Sequence, residues 1–228
     1  MRSLSLKDIA DIQTGPFGSQ LHKENYVDFG TPIVTVEHLG KRNFTTQNLP
    51  RVSDFDKKRL KKYILKKGDI VFSRVGSVDR CSFVNDEYDG WMFSGRCLRV
   101  RPYSCIDPLY LYYFFCTENT KEFIRSIAVG ATMPSINTKL LGDVKVTLPD
   151  IVSQRKIASF LSDLDDKIEI NEKINNHLAS HLREAQIAAV QRRGQIPQPD
   201  GCLHTDGKVS ARGANEETAE QFSSLLAA

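Results

Sequence analysis

Residues 157–189 of the chain read IASFLSDLDDKIEINEKINNHLASHLREAQIAA, and core-type residues recur along them at alternating steps of four and three. The positions concerned are Ile157, Leu161, Leu164, Ile168, Asn171, Asn175, Leu178, Leu182, Ala185 and Ala189. This spacing is that of a coiled-coil seam, in which each such residue packs against a partner helix. The stretch therefore predicts one long helix that needs a second helix beside it.

The residues that flank this stretch indicate where the helix begins and ends. No glycine or proline interrupts it, and Asp150 or Ser153 after Pro149 can cap its start. A helix over roughly residues 153–191 is about 60 Å long at 1.5 Å per residue. Because so long a stripe cannot be buried on a domain of ordinary size, we expect it to mediate dimerisation. The dimerisation residues are Ile157, Leu161, Leu164, Ile168, Asn171, Asn175, Leu178 and Leu182.

The residues before the helix predict a mixed α/β head. The expected fold class is thus α+β, with a mixed α/β globular domain followed by one long coiled-coil helix. Arg99 and Arg101 alternate with apolar neighbours, as in a half-exposed strand. We expect a short amphipathic element over residues 4–12, strands over residues 31–36, 70–75, 98–100 and 144–148, and one helix from Pro108 to about Ile127.

Composition divides the chain into three segments. The head occupies residues 1–150 and the coiled-coil helix residues 151–192. From residue 193 onward, glycines and prolines break any regular element and polar residues dominate between them. Residues 193–228 are therefore predicted to form a flexible tail.

Positive charge is concentrated in the head. Residues 1–150 hold 22 lysines and arginines against 17 acidic residues, whereas the remainder holds 9 against 11. Residues 57–67, KKRLKKYILKK, carry seven basic residues and no acidic one. Such a run is either a solvated helix face or a surface that contacts nucleic-acid phosphates, and both interpretations stay open.

Motifs of the common nucleotide-dependent and metal-dependent enzymes are absent from the sequence. It contains no GxGxxG, P-loop, GxSxG or HExxH pattern, and its five cysteines never occur as CxxC. Asp143 and Lys145 form the Asp-x-Lys half of a metal-dependent nuclease core, but no upstream carboxylate is placed to complete it. We expect no metal, no cofactor and reduced thiols. Without an apolar run of 18 residues, a soluble cytoplasmic protein is expected.

Five sequence blocks resemble those of a known family. Residues 146–149 read VTLP and residues 154–168 read QRKIASFLSDLDDKI. Earlier in the chain, and in order, come GPFGS at 15–19, GDIVFSRVG at 68–76 and GATMPSIN at 130–137. Together, over about residues 4–185, the blocks resemble a target recognition domain and conserved helix from the specificity subunits of type I restriction-modification systems.

This resemblance implies a function without catalysis. Such subunits carry two recognition domains, joined by two antiparallel helices, and each domain reads half of a bipartite double-stranded DNA site. They dock methyltransferase subunits and, through these, restriction subunits. Because this chain holds one recognition domain and one helix, it is expected to be a half-length or truncated subunit that forms an antiparallel homodimer, or whose exposed seam binds methyltransferase helices instead. The alternatives are a coiled-coil protein-interaction module and a self-contained DNA-modifying enzyme.

The residues that contact DNA are predicted from charge and loop position. Base contacts are expected from loops and phosphate contacts from basic side chains. Arg74 and Arg80 are candidates for bidentate bonds to guanine, and a salt bridge from Arg80 to Asp79 or Glu87 is the alternative. The phosphate candidates are Lys41, Arg42, Lys57, Lys58, Arg59, Lys61 and Lys62, and the base or groove candidates are Ser19, Gln20, Lys23, Arg74, Ser77, Arg80, Thr132 and Asn137.

The two polar seam layers generate a first prediction. Replacing Asn171 and Asn175 together by leucine is expected to stabilise the dimer and loosen helix orientation, because polar layers fix register at a cost in stability. Sedimentation equilibrium measures the dissociation constant, and distances between spin labels measure the orientation. An unaltered orientation, or a wild-type chain that is monomeric at micromolar concentration, would contradict the assignment.

Overall fold

The structure, a computed structural model, describes residues 2–18 and 20–194, and side chains are described except those of Lys23 and residues 187–194. The helices are α1 Leu6–Ile9, α2 Asp54–Arg59, α3 Pro108–Cys116, α4 Glu118–Ile127, α5 Thr138–Gly142 and α6 Ile151–Gly194. The strands are β1 Arg2–Ser5, β2 Ala10–Thr14, β3 Tyr26–Val27, β4 Thr31–Val34, β5 Arg51–Val52, β6 Ile70–Ser73, β7 Cys81–Phe83, β8 Met92–Phe93, β9 Cys97–Pro102 and β10 Lys145–Leu148. The α+β class expected from the sequence is confirmed.

The strands pair into three small sheets. One sheet has the order β2-β9-β6-β7 with antiparallel neighbours throughout. A second has the order β3-β5-β4-β8, in which β4 and β8 are parallel. The third joins β1 to β10, and so ties the first residues of the chain to the strand that precedes the long helix.

Strand β6 lies between two hydrophobic cores. Ile70 and Phe72 belong to a core that includes α1, α3 and α5, and the Phe72 and Phe115 rings meet edge to face at 4.7 Å. Val71 belongs to the other core, with the second sheet and Tyr88. Because alternate side chains of a strand point to opposite faces, a strand buried on both faces must be apolar throughout.

Two secondary-structure predictions are wrong in detail. Residues 4–12 form the end of β1, α1 and the start of β2 instead of one amphipathic element. The single helix expected over 108–127 is divided into α3 and α4 at Thr117, whose backbone is extended. The Thr117 hydroxyl donates to the Phe114 carbonyl at 2.8 Å, so a local side-chain bond replaces the continuing helix.

The strand predicted over residues 98–100 is present as β9, but the half exposure expected of it is wrong. Arg99 is only 3% exposed, pairs with Asp11 and donates to the Lys62 carbonyl. Arg101 forms two bonds of 2.6 and 2.7 Å with Asp69, which raise the pKa of Arg101. The polar face of β9 is buried because other parts of the head cover it, and each buried guanidinium therefore has a carboxylate partner.

Helix α6 begins where the sequence predicts. The Asp150 carboxylate accepts bonds from the backbone N–H groups of Val152 and Ser153 at 3.1 and 3.0 Å. The chain divides into two compact units, residues 1–172 and 173–228, so the first part of α6 belongs to the unit that contains the head. The predicted tail from residue 195 onward lies outside the described residues. No helix in the described part of the chain is long and apolar enough to cross a bilayer.

Candidate nucleic-acid interface

One end of the sheet β2-β9-β6-β7 carries most of the predicted base-contacting residues. Thr14 and Phe72 both lie opposite Leu98, and Phe72 also lies opposite Cys81. The end of β2, the end of β6 and the start of β7 therefore meet at this end, from which residues 15–20 and 74–80 emerge. We call it the loop end of the sheet.

Two glycines allow the backbone segments at the loop end to pack closely. The Gly15 N–H donates to the Cys97 carbonyl at 3.1 Å. A Cβ on Gly15 would lie 2.1 Å from the Ser94 carbonyl oxygen, and one on Gly95 would lie 2.3 Å from the Pro16 oxygen. Only residues without a Cβ fit at these two positions, and this contact fixes where the loop after β2 begins.

The loop after β2 contacts both the Arg74 loop and the basic run. The Arg74 guanidinium lies 5.2 Å from the centroid of the Phe17 ring, within cation–π range. Gln20 accepts a 2.7 Å bond from Arg59 on its carbonyl and a 2.6 Å bond from the Tyr63 hydroxyl on its side chain. Ser19 lies outside the described residues, as does the side chain of Lys23.

Residues 129–137 form a third loop beside Arg74. The Gly76 N–H donates to the Pro134 carbonyl at 2.8 Å, and the Ile136 N–H donates to the Arg74 carbonyl at 2.9 Å. Thr132 is exposed, as expected for a base contact. The Asn137 side chain instead accepts a bond from the Leu140 N–H and caps α5, which gives it a structural role.

Arg80 is exposed at the same end and has no ion pair among the described residues. Asp79, one of its two expected intramolecular partners, pairs with Arg125 at 3.0 Å. The segment from Gly76 to Arg80, with Arg125 and Pro134, lines an open cleft of about 460 Å³. Ser77 is exposed at this cleft and Arg80 is available to a ligand.

The basic run is not a single helical face. Lys57, Lys58 and Arg59 lie in α2, and Lys61 and Lys62 lie in the 3-10 turn that follows. Arg59 pairs with Asp56 at 2.6 Å, and the Lys62 ammonium lies 4.8 Å from the Tyr63 ring centroid. Lys58, Arg59, Lys61 and Lys62 are exposed, and the Gln20 contacts place the run next to the loop after β2.

Lys41 and Arg42, two further phosphate candidates, lie apart from this group and contact α6. Lys41 pairs with Glu172 at 3.0 Å, although its side chain is 73% exposed. Arg42 pairs with Asp166, and only 17% of its side chain is exposed. The structure thus gives Arg42 an internal partner.

The predicted seam of α6 is largely exposed in the single chain. Ile157 is 42% exposed, Ile168 is 56% exposed and Leu182 is 66% exposed. A different stripe of the helix packs on the head: Gln154 and Ala158 are buried, and the Gln154 side chain accepts from the Asp107 N–H at 3.0 Å. Leu161 is half-buried, and the remaining seam residues Leu164, Asn171, Asn175 and Leu178 are exposed.

The Asp-x-Lys pair takes part in structural bonds. Asp143 pairs with Lys7 at 2.7 Å, which lowers the pKa of Asp143, and Lys145 donates to the Ser5 hydroxyl. Asp143 precedes β10 instead of lying on it. Among the described residues there is no group of three or more His, Cys, Asp or Glu side chains that could hold a metal ion. Cys81, Cys97, Cys105 and Cys116 are unbridged, and burial raises the pKa of Cys97 to about 12.

Phe17 and Met133 were not predicted as site residues. They are 52% and 59% exposed in the two loops that contact Arg74. Phe17 stands in the sequence block GPFGS and Met133 in the block GATMPSIN. A large apolar residue next to loop-forming glycine or proline indicates an exposed apolar contact. Periodicity could not reveal them, because a loop residue belongs to no repeating pattern.

The glycine packing at the loop end yields a prediction. Gly15→Ala is expected to lower the free energy of unfolding by about 1 to 3 kcal/mol, because its Cβ would overlap backbone atoms. Gly18→Ala is the matched control: no atom lies within 4 Å of a Cβ there, so a change within about 0.5 kcal/mol is expected. Chemical denaturation measures both. Equal unfolding midpoints for the two variants would show that the close packing is not required.

Known proteins with similar sequences are specificity subunits. The chain is 31% identical over 121 residues to the type I restriction enzyme HindI specificity subunit of Haemophilus influenzae, covering 51% of this chain and 26% of that subunit. It is 23% identical over 175 residues to the MjaVIII specificity subunit of Methanocaldococcus jannaschii, covering 75% and 40%. The chain therefore aligns with less than half the length of these curated relatives.

The fold agrees with this similarity. The structure superposes on the type I restriction-modification system S subunit from M. genitalium with a TM-score of 0.54 and 18% identity, over 84% of this chain and 48% of that one. The family model described as "Type I restriction modification DNA specificity domain" matches residues 1–180 of the 228. The chain therefore belongs to the type I restriction-modification DNA specificity domain family.

Proposed function

We propose that this chain recognises a double-stranded DNA sequence for a type I restriction-modification system. The observation that carries the proposal is the loop end, where the loop after β2, through Phe17, and residues 129–137 each contact the segment that begins at Arg74. Arg80, exposed and without an ion pair among the described residues, supplies a guanidinium that can bond a guanine edge. The names of the similar proteins support the same role.

Phosphate contacts are assigned to the basic run beside the loop end. Arg59 and Tyr63 of this run contact Gln20, so we assign phosphate contacts to the basic residues of the run, Lys57, Lys58, Arg59, Lys61 and Lys62. Such contacts supply affinity without sequence information and weaken as salt concentration rises. Ser77 and Thr132, exposed on neighbouring loops, are the further groove candidates.

The protein is proposed to act without catalysis of its own. Both residues of the Asp-x-Lys pair are engaged in bonds to Lys7 and Ser5. Methylation and cleavage would then come from methyltransferase subunits that dock on this chain and from restriction subunits bound through them. We place this assembly in the cytoplasm, where the DNA of a bacterial or archaeal cell is accessible.

A second copy of the chain is the proposed partner of α6. The exposed apolar residues of the seam lie on both sides of the polar layers Asn171 and Asn175, and a monomer leaves them in water. A twofold dimer closes such a surface because the same patch serves both copies. Antiparallel pairing would place the two recognition heads at opposite ends of the helices, and the DNA site would then be an interrupted palindrome.

Sequencing of methylated bases tests the proposed function. We expect expression of the chain with its methyltransferase subunit, in cells without endogenous adenine methylation, to produce one methylated motif of two inverted half-sites. The matched control is the methyltransferase expressed alone, which should leave the genome unmodified. Methylation that does not depend on this chain would contradict the proposal, and an asymmetric motif would contradict the homodimer.

The two loop arginines provide a residue-level prediction. Arg74→Ala and Arg80→Ala are each expected to weaken binding to the methylated motif by about 1 to 3 kcal/mol, because each removes a base contact. Arg155→Ala is the charge-matched control, because Arg155 is exposed and lies in the first turns of α6, away from the loop end. The neighbouring residue Gln154 bonds to Asp107, which lies near the end of the sheet opposite the loop end. Titration of labelled duplexes at fixed salt measures the affinities. Unchanged site-specific binding in both loop variants would make the assignment wrong.

A further inference from the structure

The segment 40–43, which we call the edge segment, runs beside the outer strand β7. The Gly40 N–H donates to the Ser82 hydroxyl at 3.1 Å, and that hydroxyl donates to the Lys41 carbonyl at 2.6 Å. The Phe83 N–H donates to the Arg42 carbonyl at 2.9 Å. The edge segment therefore lies against Ser82 and Phe83 on the outer side of β7.

The two ends of the edge segment touch two different parts of the molecule. At its start, a Cβ on Gly40 would lie 3.3 Å from Cδ of Arg80, a residue of the loop end. At its other end, the Asn43 amide donates to Glu169 of α6 at 2.8 Å. The segment is thus a short connection between the loops assigned to DNA and the helix assigned to pairing.

The guanidinium of Arg42 directs its hydrogen bonds to helix α6. It donates to the Ser162 carbonyl and hydroxyl at 3.3 and 3.0 Å and pairs with Asp166, and Glu169 lies 3.7 Å away. Burial lowers the pKa of Arg42, but hydrogen bonds and charge interactions with Asp166 and Tyr113 together outweigh this effect, so the net pKa is raised. A planar guanidinium that bonds two successive helical turns restricts both rotation and tilt of the helix.

A second contact restrains the same part of α6 from another element. The Tyr113 hydroxyl of α3 donates to Asp165 at 2.9 Å, and burial raises the pKa of Tyr113 to about 12. Ser162, Asp165, Asp166 and Glu169 are spaced by three and four residues, so they share one face of the helix. This polar face differs from the exposed seam of Ile157, Leu164 and Ile168.

We propose that Arg42 is a positioning residue that sets the direction of α6 relative to the recognition head, and thereby the spacing between two DNA half-sites. The inference rests on the proposed function. A straight helix rises 1.5 Å per residue, so a tilt of about 10° displaces a point about 20 residues along its axis by about 5 Å. That displacement exceeds the rise of one base pair, about 3.4 Å.

Spacer dependence of methylation tests this role. The full chain is assembled with its methyltransferase subunit and assayed on duplexes carrying the motif found by methylation sequencing, with the central spacer changed one base pair at a time. We expect a single optimum for the wild type. Arg42→Gln should lower the ratio of rates between the optimum and the next spacing by about tenfold, the scale of a lost charge-assisted bond.

Two further variants separate positioning from phosphate attraction. Lys41→Gln removes the same charge from the same segment, but its ion pair is exposed, so the ratio should stay within about twofold of the wild type. Asp166→Asn should reproduce the loss seen with Arg42→Gln, whereas removal of an acidic residue would strengthen binding if only attraction to DNA mattered. Asp166 is 55% exposed, so this variant tests the role even if Arg42→Gln folds poorly.

The outcomes distinguish this inference from the proposed function. If Lys41→Gln and Arg42→Gln each reduce the salt dependence of binding by about one phosphate contact and leave the spacer ratio unchanged, Arg42 contacts DNA and the inference is wrong. If the wild type methylates best at one spacer length, and Arg42→Gln and Asp166→Asn both keep that preference, the inference is wrong and the proposed function is unaffected. A wild-type rate that is equal at every spacing contradicts the proposed function and the inference together.

Discussion

The double burial of strand β6 is the constraint on which the rest of the head depends. Ile70 and Phe72 face one hydrophobic core, and Val71 faces the other. Because a single four-residue strand belongs to both cores, neither core can shift without moving the other. The loop that begins at Arg74 continues directly from this strand, so its position is determined by a strand whose four residues are all buried.

The sheet built around β6 carries different structural features at its two ends. Loops with exposed arginine and apolar side chains leave one end, and the bonds from α6 to Asp107 and to the edge segment lie near the other. Antiparallel pairing makes this possible, because each strand begins where its neighbour in the sheet ends: β2 and β6 end, and β9 and β7 begin, at the loop end. A scaffold with rigid strands can therefore vary its loops without disturbing the helix attachment.

The positively charged side chains of the head likewise fall into two groups. The arginines on β9 and in the edge segment have carboxylate partners, and these pairs hold the head together internally. Arg80 and most of the basic run lie outside such pairs, on the surface around the loops. Net charge alone could not separate these two groups, since both contribute equally to the total. Their different environments distinguish the cations with carboxylate partners inside the head from those that we propose to contact DNA.

The sequence by itself determined the long helix, a cap at Asp150 or Ser153, the heptad pattern and the α+β class, because periodicity and capping are local properties that depend on neighbouring residues. It also indicated the loops around Arg74, through glycine-containing blocks in a recognisable order. The environment of each arginine was decided only by the tertiary structure. Arg42 and Arg99 resemble Arg80 in the sequence, yet the first two are paired and largely buried while Arg80 is exposed. Long-range packing makes this difference: the partners Asp166 and Asp11 lie 124 and 88 residues away, beyond any local pattern.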